Sequence, residues 1–445
     1  MKPAPHQKPA SHHKSDPAKP EAQGRDAALR LLQAVLHRKR PLDDALADKS
    51  IFGTLAARDR ALAHNLTATT QRRQGQIDQM LRLCVPRPLP AAAGPVQDIL
   101  RLGVAQLVFL GTAAHAAVDQ AVAMTGQAGQ TKMKSLVNAV LRRMAREGLA
   151  MAQKQDAVRL NTPNHLWHAW SDAYGEATAR AIAEAHLGEA PLDITVKRDA
   201  DLWAERLDAQ ILPTGSLRRK AGGAVADLPG FADGAWWIQD AAAALPARLL
   251  GDVAGQTVID LCAAPGGKTA QLAAAGAKVT AVDRSAARLE RVAANLKRLK
   301  LDAELVAADA AIWRPAVPAD AVLLDAPCTA TGTIRRHPDI PHLKSADDLR
   351  TMTALQDRLL AAAADMLRPG GALVYCTCSL QPEEGPARIE RALAEQKMLR
   401  REAIEPAALP AEFRTPAGEL RTLPSQWRDL GGIDGFYAAR LRKLS

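Results

Sequence analysis

Two thiols stand where two strand-like runs stop. Cys328 closes Val322-Leu323-Leu324-Asp325-Ala326-Pro327-Cys328, and Cys378 closes Leu373-Val374-Tyr375-Cys376-Thr377-Cys378. In an open α/β sheet, ligands sit outside the carboxyl ends of the strands. Two such runs in one parallel sheet would bring both sulfurs into one cleft beside the carboxylate of Asp325, an arrangement for nucleophilic chemistry. A thiol with a pKa near ~8.5 needs help to ionise, and the ammonium of Lys268 is the candidate to supply it.

A ligand for that cleft is legible upstream. Thr257-Val258-Ile259-Asp260-Leu261-Cys262 reads as a short buried strand running into Ala263-Ala264-Pro265-Gly266-Gly267-Lys268-Thr269, a Gly-rich turn that opens a helix. Glycines there let the backbone approach a ligand, and the free N–H groups of the helix start favour a carboxylate or phosphate. Lys278–Asp283 reads as a second strand, and its terminal acid falls about 20 residues on, where a carboxylate binds ribose hydroxyls in nucleotide-type folds. Ala303–Asp309 reads as a third. Acids at three successive ends, Asp283, Asp309 and Asp325, outline a nucleoside pocket.

Between the strands the period changes. Leu289, Val292, Ala293, Leu296 and Leu299 recur at helical steps behind Ser285, a good N-cap, and Leu349, Met352, Leu355, Leu359, Ala363 and Met366 do so before Pro369-Gly370-Gly371. The alternation predicts a doubly wound parallel sheet from about Trp236 onward, with Phe436–Leu441 as an antiparallel edge strand. Gly267-Lys268-Thr269 also matches the end of a phosphate-binding P-loop. That loop needs a glycine where Cys262 stands, so nucleotide hydrolysis is disfavoured. The first turn lacks Gly-x-Gly-x-x-Gly, which disfavours a Rossmann dehydrogenase.

The residues Asp260–Thr269, then Asp325-Ala326-Pro327-Cys328 with Gly332 and Arg335-Arg336-His337-Pro338-Asp339, then Thr377-Cys378-Ser379 resemble the motifs of the Nol1/Nop2/Sun family of RNA cytosine-5 methyltransferases. The resemblance implies a Rossmann-like class I methyltransferase domain, S-adenosylmethionine as cofactor and a cytosine in RNA as acceptor. It implies that Cys378 is the nucleophile and that Cys328 assists product release. Asp325 and Lys268 complete the expected catalytic set, with Asp325 on the pyrimidine edge. The expected cofactor site is Cys262, Ala263, Ala264, Pro265, Gly266, Gly267, Lys268, Asp283, Asp309 and Asp325. Two departures, Pro341-His342 where the family has Lys-Trp and Glu383-Glu384-Gly385 where it has Glu-Asn-Glu, are expected near the RNA entrance.

The preceding block, from Asp26 to about Ala150, reads as helical almost throughout. Asp59–Leu66, Ile99–Leu107 and Ser135–Arg143 carry amphipathic spacing and resemble the all-helical RNA-binding domain of the NusB antitermination factor. With that block in front, the resemblance implies small-subunit (16S) ribosomal RNA as substrate. The same chemistry on transfer RNA, or a non-catalytic RNA-binding assembly factor that keeps the fold, are the alternatives. Residues 1–25, rich in Pro, Lys, His and Ala, are expected to form a disordered tail, with His6, His12 and His13 as tail residues rather than ligands. Residues 151–235 are expected to form a small α/β module: a turn entering a helix near Trp167, a strand over Leu192–Lys197 and a helix over Asp201–Ala209. The methyltransferase domain is then 236–445.

Composition agrees with these assignments. The 445 residues carry 58 Lys and Arg against 48 Asp and Glu, a net charge of +10 that suits a polyanionic partner. Arg218-Arg219-Lys220, Arg335 and Arg336 are candidate phosphate contacts. Only 3% of residues are aromatic, so stacking platforms for single-stranded RNA are sparse. Five cysteines without a signal peptide argue for a cytoplasmic, disulfide-free chain, expected to act as a monomer. No apolar run approaches the roughly 20 residues of a membrane helix. Cys262 and Cys376 read as packing residues and Cys84 as core. The four cysteines at strand ends could in principle hold zinc, but no Cys-x-x-Cys pair is present and no metal is expected.

Overall fold

The computed structural model describes residues 20–445 apart from 54, 86, 91, 92, 221 and 406–408. The expected tail lies outside the described residues as far as 19. From Pro20 the chain is already helical, so the first helix starts ahead of the expected boundary. The chain divides into two compact units after Lys154, each described by itself below. Among the described residues no helix is long and apolar enough to cross a membrane.

The first unit is all-helical, with long helices over Pro20–Leu36, Ala57–Arg72, Gln74–Cys84, Gly94–Val104, Ala114–Gln127 and Lys134–Gln153. The three-and-four spacing of Ala27, Ala28, Leu31, Leu32, Ala34 and Val35 gives the first helix one wholly buried face. Arg101 makes a two-pronged bond to Asp78 (2.8 and 2.9 Å), pinning one helix to another. Cys84 is only half-buried at a helix end rather than core, because that helix stops there.

The second unit opens with helices Ala157–Asn161, Asn164–Tyr174 and Glu176–His186, followed by a small antiparallel sheet. Its strands are β1 (Leu192–Val196), β2 (Gln210–Ile211), β3 (Leu217–Arg219) and β4 (Trp236–Ile238), in the order β2-β3-β1-β4. A helix over Ala200–Leu207 links β1 to β2, close to the expected span. The doubly wound sheet therefore does not begin at Trp236. Trp236 pairs with Val196, and its fully buried ring packs with Ile194, Trp203 and Leu217 in the small sheet's own core. The expected separate module and methyltransferase domain are one compact unit.

The large sheet contains β5 (Thr257–Leu261), β6 (Lys278–Asp283), β7 (Glu304–Ala307), β8 (Ala319–Asp325), β9 (Leu367–Thr377), β10 (Leu399–Glu402), β11 (Leu420–Thr422) and β12 (Phe436–Lys443). Its order is β10-β12-β9-β8-β5-β6-β7, with β5 to β9 parallel, β12 antiparallel to β9 and β11 also pairing β12. This is the expected Rossmann-like sheet. The strand order reverses between β5 and β8, which is where such sheets open a crevice. Because both faces are covered, the strands are apolar in both phases. Along β8, Ala321 and Leu323 enter one core while Val322 and Leu324 enter the other. β12 is not an edge strand, since β10 and β11 bond to its far side. The turn Pro369-Gly370-Gly371 lies inside β9, and the preceding helix ends earlier, at Asp365.

Three arginines and three aspartates lock this unit together. Arg218 on β3 bonds Asp193 on β1 through both carboxylate oxygens, each at 2.7 Å. Arg335 reaches Asp434 (2.5 Å) and Asp240 (3.0 Å), and Arg336 reaches the same two acids at 2.9 and 2.5 Å. Asp193, Arg218, Asp240, Arg335 and Asp434 are all buried. Arg218, Arg335 and Arg336 are thus committed to internal acids and backbone carbonyls. They are not the free phosphate contacts their sequence positions suggested.

Removing one partner of such a cluster leaves buried charge uncompensated, at a cost of about 3–5 kcal/mol. Arg335→Met should therefore lower the urea midpoint strongly. Arg350→Met, which removes an exposed i,i+3 pair with Asp347, should change stability by less than about 1 kcal/mol. Equal midpoints for the two variants would show that the cluster is not a structural lock.

Candidate active site

The site is assembled at the carboxyl ends of β5, β6, β8 and β9. After β5 the chain turns through Cys262 (φ +61°) and Gly266 (φ +99°) into the helix Gly267–Ala274. A Cβ on Gly266 would stand 2.9 Å from Val292 Cγ1, so both conformation and space require glycine there. Thr269 Oγ1 donates to Asp260 Oδ2 (2.6 Å), fixing the start of this helix to β5. Asp283, at the end of β6, accepts from the backbone N–H groups of Ala264 (3.2 Å) and Ser285 (2.9 Å), and so holds the turn from the other side.

The turn separates two cavities. One, of about 470 Å³, is lined by Cys262, Asp283, Ser285, Arg288, Asp309 and Pro327, with an apolar wall from the helix Ala346–Asp365. Its volume is ordinary for a small-molecule site. Asp283 Oδ2 also lies 3.6 Å from an Arg288 guanidinium nitrogen, and the two carboxylate oxygens, each accepting one backbone N–H, keep lone pairs for hydroxyl donors. A nucleoside fits these groups, the carboxylates meeting its polar edge and the apolar wall its ring. The other cavity, of about 480 Å³, is lined by Ala263, Pro265, Gly266, Gly267, Lys268, Asp325, Arg336 and His337 among others. The ten expected cofactor residues thus divide: Cys262, Asp283 and Asp309 face the first cavity, Ala264 braces the turn, and the other six face the second.

At the floor of the second cavity, Lys268 Nζ donates to Asp325 Oδ2 at 2.7 Å, and Cys376 Sγ donates to Asp325 Oδ1 at 3.4 Å. Burial alone would lower the Lys268 ammonium, but Asp325, Cys376 and Asp260 outweigh it and hold the group firmly charged. Burial pushes Asp260 up to about 7 against the pull of its Thr269 hydrogen bond, and its Oδ1 is buried without a hydrogen-bond partner. The thiol that shares Asp325 with Lys268 is Cys376. Cys376 itself is raised, first by burial and then by Asp325, which keeps it a thiol.

The two sulfurs do converge. Cys328 Sγ lies 3.5 Å from Cys378 Sγ. The hydrogen bond to Cys378, then burial, then the charge of Glu384 raise the Cys328 thiol. Gly332 N–H donates to the Cys378 carbonyl (2.9 Å), and its own carbonyl accepts from Gly435 N–H (2.9 Å). A Cβ there would stand 2.0 Å from the Gly435 carbonyl oxygen, which is why this motif position is glycine.

Glu384 is the residue that sequence reasoning misplaced. It is not at an RNA entrance but fully buried. Its carboxylate accepts from the Thr329 backbone N–H (2.9 Å), from the Thr329 hydroxyl and from Gln356 Nε2 (3.1 Å). Its carbonyl accepts from Tyr375 and Thr377 hydroxyls at 2.8 and 3.2 Å. Gln356 Nε2 also donates to the Pro327 carbonyl (2.8 Å). One side chain and its helper therefore hold the loop after Cys328 and the strand before Cys378 at fixed separation. An acid in a run of two offers no sign of this. Among the described residues no group of three or more His, Cys, Asp or Glu is arranged to hold a metal ion.

Comparison with known proteins fits this geometry. Residues 247–442 match the family described as 16S rRNA methyltransferase RsmB/F, and residues 22–146 match the NusB family. The chain is 40% identical to the ribosomal RNA small subunit methyltransferase B of Pseudomonas putida, covering 94% of this chain and 98% of that one. It is 35% identical to the protein of the same name from Xanthomonas campestris pv. campestris, covering 94% and 97%. Among solved structures, a methyltransferase homolog protein from Pyrococcus horikoshii is 27% identical, covers 63% of this chain and all of its own, and superposes with a TM-score of 0.52. With the sheet, the paired thiols and near-complete coverage of these relatives in agreement, the chain belongs to the RsmB/F family of 16S ribosomal RNA methyltransferases, with a NusB domain ahead of the catalytic one.

Proposed function

We propose that this chain transfers a methyl group from S-adenosylmethionine to C5 of a cytosine in small-subunit ribosomal RNA, through a covalent bond between Cys378 and C6 of the base. The observation that carries this reading is the 3.5 Å approach of Cys328 and Cys378 beside the Lys268–Asp325 pair. Cytosine C5 is too weak a nucleophile to take a methyl group unaided. A thiolate adding to C6 moves electron density to C5 and activates it.

S-adenosylmethionine supplies an electrophilic methyl group when it is bound. Asp283 and Asp309 face the cavity that accepts its nucleoside part. Asp325, held in place by Lys268, presents an acceptor to the N4 amino group and to a protonated N3 of the pyrimidine, and stabilises that electron-poor ring for the addition of sulfur. The base leaves the RNA stack to reach this floor, as bases that undergo chemistry do. To finish, the C6–S electrons return to Cys378 as Cys328 gives its proton to that sulfur, the C5–H electrons re-form the C5–C6 double bond, and the C5 proton passes to the Cys328 sulfur, restoring its thiol. Cys328 stands against the sulfur to be expelled and serves this second half.

Loss of the nucleophile and loss of the release group should look different. Cys378→Ala should be inactive and free of RNA on denaturing gels. Cys328→Ala should accumulate a denaturant-resistant RNA complex, and the double variant none. Trapping by Cys378→Ala would reverse the two roles. Bisulfite sequencing of cells with and without the protein should show the lost 5-methylcytosine in 16S RNA, and loss confined to transfer RNA would move the substrate there.

The cofactor assignment has its own test. Asp283→Ala should weaken S-adenosylmethionine binding by about 1.5–3 kcal/mol, the worth of hydrogen bonds to a charged group, when titrated by calorimetry. Unchanged affinity would remove Asp283 from the site.

A further inference from the structure

With Arg218, Arg335 and Arg336 engaged internally, the RNA backbone needs other cations. One group of cations has a single, exposed acid to answer it. Lys197, at the end of β1, donates from Nζ to the Leu299 carbonyl (2.7 Å), which brings the small sheet against the last turn of the helix Ala286–Leu299. Burial and then three cations, Lys300, Arg198 and Arg298, lower the Lys197 ammonium, and no carboxylate opposes them. Arg198 is 88% exposed, and its single acidic neighbour, Asp199, is 60% exposed at 3.7 Å. Such a pair contributes little. Lys297 and Lys300 are exposed. Among the described residues neither has a carboxylate within ion-pair distance, nor does Arg298.

Cations in the last turn of a helix answer its dipole. That accounts for Lys297 and Arg298. It does not account for Lys197 and Arg198, brought to the same place from a different element. Crowding like charges is unfavourable unless a counter-charge arrives from outside. Arg298 also lies over the Phe231 ring at 4.0 Å and bonds the Phe231 and Trp236 carbonyls. This orients it on the wall of the cavity whose floor is Lys268 and Asp325.

We infer that Lys197, Arg198, Lys297, Arg298 and Lys300 form a docking surface for the RNA phosphodiester backbone, leading the target strand to the catalytic cavity along the junction of β1 with the helix Ala286–Leu299. The inference rests on the RNA-directed reading above. The strand then enters from the small-sheet side, and the Arg335–Arg336 segment acts as a rigid wall instead of a phosphate clamp.

The test uses the full chain and a 16S RNA transcript without methyl donor, so it succeeds or fails independently of the C5 chemistry. The variant Arg198→Gln/Lys297→Gln/Lys300→Gln changes only exposed side chains. The slope of log affinity against log salt should fall by about 0.7–0.9 for each lost phosphate contact, roughly 2 to 3 in all. S-adenosylmethionine binding and melting temperature should not move. A control, Lys397→Gln/Arg400→Gln, removes two exposed cations at the β10 edge and should leave the slope as it was. In wild type, ultraviolet crosslinking should tag peptides containing Lys197–Arg198 and Lys297–Lys300. An unchanged slope in the triple variant, an equal drop in the control, or crosslinks absent from both peptides would overturn the surface.

Discussion

The buried set of Asp193, Asp240 and Asp434 with Arg218, Arg335 and Arg336 is the constraint on which the catalytic unit depends. Each arginine arrives with several donors in a fixed planar fork, and each is met by carboxylates or backbone carbonyls. Charge taken out of water is tolerated only with near-complete pairing, so the six side chains can sit in essentially one arrangement. That arrangement ties β1 and β3 of the small sheet, the segment after β4, the segment after Cys328 and the entry to β12. The fixed points bracket the site. Arg335 lies seven residues beyond Cys328, while Asp434 precedes Gly435, whose N–H holds Gly332 against the Cys378 loop.

Given that frame, the glycine turn does two jobs at once. It is held to β5 by Thr269 and to β6 by Asp283, and it presents a different cavity on each side. Gly266 and Gly267 keep the divider between the two cavities thin. The floor of the second cavity brings the carboxyl groups of Asp325 and Asp260 close together. Only one ammonium, Lys268, stands among these acids, so the proton held near neutrality by Asp260 limits how much charge accumulates there.

What could be read in the sequence was whatever depends on short-range pattern. The ends of β5, β6 and β8, the N-cap at Ser285 and the meeting of Cys328 with Cys378 follow from strand periodicity and parallel-sheet logic. What could not be read depends on partners far along the chain. Arg335 meets Asp434 across 99 residues and Asp240 across 95, and nothing local distinguishes these arginines from RNA-facing ones. Trp236 carries a strand pattern, but only pairing with Val196 decides which sheet it joins. β12 looked like an edge because its partner β10 is four residues long and polar at its end. Glu384 looked like a surface acid because its three donors come from segments 28 and 55 residues away.

The same residue bears on the protonation of the two sulfurs in contact. Two thiolates 3.5 Å apart would repel strongly in a partly desolvated site, so the pair keeps at least one proton. The hydrogen bond to Cys378 and burial disfavour ionisation of Cys328, the carboxylate of Glu384, bound to the residue that follows Cys328, adds to them, and the proton stays there. The Cys328 thiol can then donate to the Cys378 sulfur. The spacing set by Glu384 and Gln356 therefore keeps the two sulfurs in contact, which is a physical reason for a buried acid to sit behind the two cysteines.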